Sequence, residues 1–262
     1  MSYKQQSRQG WGSVAGGWSQ HAPSQREAWM GVSAAMLDLA RLQPGAQVLE
    51  LATGTGELGL MAHELIQPGG ELLLSDFAPE MLSAAQQAAE GLDGVRFKQI
   101  DIEAIDVAAA SQDTVLCRWG LMFLEDPEAG VRQIRRVLRP GGRFVTAAWT
   151  SAEENPWSSV VARVLDEVPD PGAPGQFALG RDGRLLELLQ DAGFVEDVTV
   201  EAVELTLHET FEQWWTRTSE MSRLGPRAAG HEDELRAALE PWTEADGSLR
   251  LPARTWVAAA TA

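Results

Sequence analysis

Short apolar runs alternate along the chain with segments of helical spacing. Residues 47–52, QVLELA, are apolar apart from Gln47 and a single acid and are bounded by Pro44-Gly45 before and by glycines after, the pattern of a buried strand. Residues 57–66 carry their apolar side chains at helical spacing and stop at Pro68-Gly69-Gly70. Further strands are predicted at 71–76, 95–101, 113–119 and 143–149. Between them lie a helix opened by Pro79, which the first turn tolerates, and a helix over 127–138 that ends at Arg139-Pro140-Gly141-Gly142. Strand and helix in this rhythm predict an α/β fold with a doubly wound, mostly parallel sheet.

The second half is less regular. A helix is predicted over 155–168, a loop dense in proline and glycine over 169–180, and a helix over 184–193 closed by Gly193. An extended run at 195–207 follows, and then Thr210 with Gln213, a capping box opening the helix 211–223. A charged helix at 231–240 precedes a last extended run, 250–262. There is no internal repeat or heptad array.

Composition narrows the classes. With 262 residues, 44% of them hydrophobic, the chain can bury one sizeable core. A net charge of −17 argues against a nucleic-acid partner, since phosphate binding needs a basic face. The single cysteine, Cys117, excludes an intrachain disulfide and fits a reducing compartment. The polar, glycine-rich start does not read as a signal peptide, and no run approaches the ~20 apolar residues of a membrane span. The expectation is a cytoplasmic protein without a membrane partner, a monomer or homodimer. The four histidines and one cysteine show no metal-ligand spacing, so no metal is expected.

The chemistry centres on Gly54-x-Gly56-x-x-Gly59, at the carboxyl end of the first strand, where the crevice of such a sheet binds ligands. Asp76 closes the second strand, placed to accept ribose hydroxyls. To this point NAD remains open. Glu50, four residues before Gly54, tilts the choice: an anion there repels a pyrophosphate but can organise a loop around a cationic amino-acid tail. Asp101, followed by apolar Ile102, ends the third strand where an adenine amino group could be received.

These segments together resemble the class I S-adenosylmethionine-dependent methyltransferases, in the small-molecule branch that includes ubiquinone and menaquinone biosynthesis. VLELATGTGELGL is similar to the first motif of that family and LLLSDFAPEMLSAA to the second; QIDIEAI and the region 113–149 follow in order. The resemblance is close over about residues 44–150. It implies a seven-stranded Rossmann-like sheet with its last strand antiparallel, and a loop that holds S-adenosylmethionine, released as S-adenosylhomocysteine. By that resemblance the cofactor lies against Glu50, Ala52, Gly54, Thr55, Gly56, Asp76, Phe77, Met81, Asp101, Ile102 and Cys117. A helical lid at 1–43 and an insertion at about 151–190 of the domain 44–262 are expected to enclose a small-molecule methyl acceptor.

The carboxyl ends of the strands name the remaining candidates. Trp11, Trp18, Trp119, Trp149 and Trp157 fall on segments around the crevice and suit a planar or apolar acceptor; Arg118 could recognise an acidic one, or pair with Asp113 or Glu125. His208, at the end of a predicted strand, is the first candidate base, and His21, on the lid, the second. His63 and His231 are expected to face solvent. Two other classes stay open: an NAD-dependent oxidoreductase, and a protein that binds S-adenosylmethionine as a regulator or a cyclase-like catalyst.

Overall fold

A computed structural model of the chain describes residues 1–169 and 172–262. It opens with helix α1 (Tyr3–Ala40), followed by β1 (Gln47–Leu51), α2 (Glu57–Ile66), β2 (Glu71–Asp76), α3 (Pro79–Ala88), β3 (Val95–Gln99) and β4 (Gln112–Arg118). After these come α4 (Pro127–Val137), β5 (Leu138–Trp149), α5 (Pro156–Val164), α6 (Arg184–Asp191) and β6 (Glu196–Glu209). The chain closes with α7 (Phe211–Met221), the short α8 (Gly225–Ala228), α9 (Glu232–Leu239) and β7 (Leu249–Thr261).

The strands form one seven-stranded sheet in the order β3-β2-β1-β4-β5-β7-β6. All neighbouring pairs from β3 to β5 are parallel, whereas β7 runs antiparallel to both β5 and β6. This is the expected doubly wound, mostly parallel sheet. Strand order reverses between β1 and β4, which opens a crevice at their carboxyl ends.

Alternation along the strands builds two cores. Leu49, Leu51, Val115 and Cys117 face one layer, and Val48, Leu72, Leu74 and Leu116 face the other. Because helices cover both faces, the central strands read as continuous apolar runs. β3 stops two residues earlier than its sequence suggests, because Asp101 turns to cap a 3-10 turn at Ile102–Ala104, accepting the Glu103 N–H at 3.0 Å. The capping box at α7 forms as expected, with Thr210 and Gln213 bonded reciprocally at 3.2 and 2.8 Å.

The N-terminal segment is a single helix of 38 residues with Pro23 inside it, and its halves do different work. The second half buries Trp29, Val32, Met36 and Leu37 against the sheet, and Arg143 pins its end by donating to the Leu39 carbonyl at 2.9 Å. The first half crosses α3 and α7 at the carboxyl edge. Although α1 is long, no helix of the described residues is long and apolar enough to cross a membrane. One sequence expectation is corrected: His63 is buried, not solvent-facing, with Nε2 2.8 Å from the Asp93 carbonyl and 3.0 Å from Gln67 Nε2.

Gly17 sets the approach of α1 to α7, since a Cβ there would run into the Glu220 carbonyl, 2.7 Å from its carbon. Gly17→Ala gains about 1 kcal/mol of helix propensity but must push two backbones apart at a cost of about 1–3 kcal/mol. The clash wins, and we expect Tm to fall by about 2–6 °C in a thermal melt. An unchanged or raised Tm would contradict this contact.

Candidate cofactor and acceptor site

The loop after β1 turns through left-handed backbone at Ala52 (φ 52°), Gly54 (φ 56°) and Gly56 (φ 90°) before Gly56 opens α2. Glycine adopts such angles without penalty, whereas Ala52 does so at a steric cost, the kind of strain that gathers at ligand-binding turns. Asp76 braces the loop from β2: Oδ2 accepts from Gly54 N–H at 2.9 Å and Oδ1 from Ala78 N–H at 2.9 Å. The third glycine has a packing role. A Cβ on Gly59 would collide with Leu74 and with the Glu50 carboxylate, so its absence lets α2 lie close to β1 and β2.

Glu50 is 2% exposed and accepts a hydrogen bond from Thr53 Oγ1. Burial pushes its pKa up to about 7, against the pull of the Thr53 hydroxyl, the Arg118 charge and the Gly59 N–H. Burial likewise raises Asp76 to about 6, opposed by the N–H groups of Ala78, Gly54 and Phe77. The protein thus holds two carboxylates at the edge of one crevice without fully compensating either. Arg118, at the end of β4, donates to Ser33 Oγ of α1 at 2.7 Å and to Glu57 Oε2 at 3.0 Å. It pairs with neither Asp113, which Arg139 takes, nor Glu125.

Both carboxylates open onto a cavity of about 640 Å³, within the range of small-molecule sites. Of the residues expected at the cofactor, Glu50, Ala52, Gly54 and Thr55 line it from β1 and its loop, Asp76, Phe77 and Met81 from β2 and α3, and Asp101 and Ile102 from beyond β3. Gly56 stands behind the lining as the cap of α2. Lys4, near the start of α1, bonds Asp101 Oδ2 and Glu103 Oε2, each at 2.6 Å, so the helix is latched to the floor it covers.

The far half of the cavity is walled by indoles. Trp119 and Trp149 stack at 4.4 Å and 15°, Trp29 stands edge-on to both, and Trp157 packs 5.0 Å from Trp149. Three of these indole N–H groups are occupied: Trp29 by Gln25, Trp119 by Thr255 and Trp157 by Asn155. Trp149 Nε1 has no such partner among the described residues. Trp11 and Trp18 line the cavity from α1, with Trp18 Nε1 donating to the Met221 carbonyl at 3.2 Å.

Three expectations are corrected. Cys117 lies outside the cavity lining: alternation sends its thiol into the core and the next residue, Arg118, to the crevice, and burial pushes its pKa up to about 12. His208 does not reach the cavity. β6 is the edge strand, separated from β5 by β7, and Leu207 takes the inward face while His208 is exposed. His21 is also outside the lining, with Nε2 2.6 Å from Glu220 Oε2, where it ties α1 to α7. His231, expected to face solvent, is half-buried, with Nδ1 3.8 Å from Glu234 Oε1. The sequence reading missed Trp29, Tyr3, Lys4 and the arginines of α7 and α8, which reach the cavity through the course of α1 and the packing of the C-terminal helices.

A family model described as a methyltransferase domain matches residues 42–173. The chain is 41% identical over 111 residues to a demethylmenaquinone methyltransferase of Thermus thermophilus, an alignment that covers 42% of this chain and 50% of that protein. The chain thus spans about half the length of the curated relatives it matches. Among solved structures, the YcgJ protein of a Bacillus species superposes with a TM-score of 0.64 at 19% identity, covering 87% of this chain and 97% of that one. The [4+2]-cyclase SpnF superposes at 0.59 with 18% identity, covering 87% and 80%. At such identities these structures share the fold alone. The matched model takes in the glycine loop, Asp76 and the strands up to β5, and by that match this chain belongs to the methyltransferase domain family.

Proposed function

We propose that the protein transfers a methyl group from S-adenosylmethionine to a small, planar aromatic or apolar acceptor and releases S-adenosylhomocysteine. One observation carries the reading: two under-compensated buried carboxylates, Glu50 and Asp76, flank a glycine loop in the same cavity as a wall of indoles. Asp76 suits a pair of ribose hydroxyls. Glu50 and Arg118, side by side, suit the ammonium and carboxylate of an amino-acid tail. Phe77, Met81 and Ile102 offer the apolar faces an adenine ring needs, and Asp101, next to them, an acceptor for its amino group.

The bound cofactor would supply an electrophilic methyl carried on a sulfonium. The chain's own part is to orient, desolvate and close. The indole wall holds a flat acceptor and excludes water, and α1, latched by Lys4, covers the cavity. Among the described residues no histidine lines the cavity, which leaves the two histidines proposed from sequence without access to the acceptor. A base for the acceptor would then have to come from the carboxylates that line the cavity, Glu103, Glu125 and Glu167 among them. A fused aromatic ring of the kind named for the Thermus thermophilus relative, a demethylmenaquinone methyltransferase, suits the aromatic wall. The lack of a histidine at the cavity also keeps a cofactor-binding protein without methyl transfer as the second reading, on a fold it shares with SpnF. In that case aromatic acceptors would gain no mass in the presence of S-adenosylmethionine.

Calorimetric titration tests the cofactor. S-adenosylhomocysteine is expected to bind in the micromolar range and NADH not at all; Asp76→Ala should weaken the first by at least about tenfold, the worth of one lost charged hydrogen-bond pair. NADH binding in its place would overturn the reading.

A second expectation follows from the raised carboxylates. The free protein holds a proton on Glu50 up to about pH 7 and on Asp76 up to about pH 6. An ammonium and hydroxyl donors favour the charged forms, so binding lowers both pKa values and releases protons. Affinity should therefore rise with pH from 5.5 to 8, by about tenfold or more, with net proton release near neutrality read from titrations in buffers of different ionisation enthalpy. Glu50→Gln should abolish most of that release. Proton uptake, or a flat profile, would rule out these carboxylates as ligands of the cofactor.

A further inference from the structure

Three arginines reach the cavity from one stretch of chain: Arg217 on α7, Arg223 just after it and Arg227 on α8. In a protein with 38 acidic residues against 21 basic ones, each would be expected to meet a carboxylate. Two do. Arg217 Nη2 bonds Glu209 Oε1 at 2.6 Å, and Arg227 pairs with Glu167.

Arg223 is different. Among the described residues it makes no ion pair and no hydrogen bond. Its guanidinium lies over two aromatic faces instead, 5.2 Å from the Trp11 centroid and 5.6 Å from Phe123. Gly10 of α1 makes room for it, since a Cβ there would stand 2.8 Å from Arg223 Cδ. Arg223 is exposed to solvent at the cavity mouth, yet the protein around it still lowers its pKa through desolvation, opposed by the charge effect of Tyr3. The Trp11 and Phe123 rings occupy its face and leave the N–H edges of a rigid fork unpaired, the geometry that binds a carboxylate through two parallel hydrogen bonds.

We propose that Arg223 receives an acidic group of the acceptor, so that the molecule methylated is a planar aromatic acid, its ring against the indole wall and its anionic substituent at the mouth. This rests on the cavity being a methyl-acceptor site, as argued above. A neutral quinol fits the indole wall equally well but gives Arg223 nothing to bind.

The probes are 2-naphthoate and its neutral isostere 2-naphthamide, titrated calorimetrically into the full chain with and without saturating S-adenosylhomocysteine. Naphthoate is expected to bind at least about tenfold more tightly than the amide, the loss of one charge-assisted pair. In Arg223→Met that ratio should fall to about one, while Arg223→Lys should keep part of it. If Arg223 merely clamps α1 to the α7–α8 loop through its rings, Arg223→Met will lower Tm and leave the ratio intact, and that outcome overturns the proposal. Equal affinity for acid and amide in the unmodified protein, or no binding of naphthoate to either form, overturns it without recourse to a variant. Failure of the cofactor reading shows separately, as an absence of S-adenosylhomocysteine binding in the first titration.

Discussion

The buried carboxylate of Glu50 is the point on which the site is assembled. It takes a hydrogen bond from Thr53 in the glycine loop, feels the Gly59 N–H of α2, and faces Arg118 of β4, which in turn holds Ser33 of α1 and Glu57 of α2. The glycine loop, α2 and β4 meet at one acid, and Arg118 extends the junction to α1. Removing it would leave Arg118 short of a neighbouring charge and the loop short of an anchor, whatever else the pocket binds. Burial raises its pKa to about 7 in spite of these neighbours.

The first half of the fold was legible because its signals are local. The apolar run at β1, the glycines after it and the acid ending β2 each declare a strand end or a turn, and those strand ends lie together once the sheet order is known. The order of the last two strands was not legible from pattern. β7 inserts between β5 and β6, so the residue that ends β6 lies one strand further from the crevice than a simple parallel count would place it. That single inversion accounts for His208. Cys117 failed for a different reason: strand alternation lets only every second residue near the edge face the crevice, and Arg118 has that position.

The indole half of the cavity was harder still. Trp29 contributes to the indole wall from the middle of a 38-residue helix whose sequence is interrupted by glycines and a proline and carries no strong amphipathic stripe. The helix persists because Ser2 and Gln5 cap its start and because its second half is buried against the sheet, and tertiary packing outweighs propensity. The arginines of α7 and α8 were invisible for a related reason. Nothing in their spacing says which face of a C-terminal helix is turned toward a crevice made by the N-terminal half of the chain.

The continuity of α1 has a consequence for how the cover can bend. The same rod that covers the cofactor edge near Lys4 is riveted at its other end by Arg143, and no loop separates the two. At about 1.5 Å per residue it runs some 57 Å, too long and too firmly held to swing as a whole. Pro23 is the one place in its interior where a backbone donor is missing, between the half that covers and the half that is built into the core. A bend in this cover falls most cheaply at Pro23, where no intrahelical hydrogen bond has to be broken.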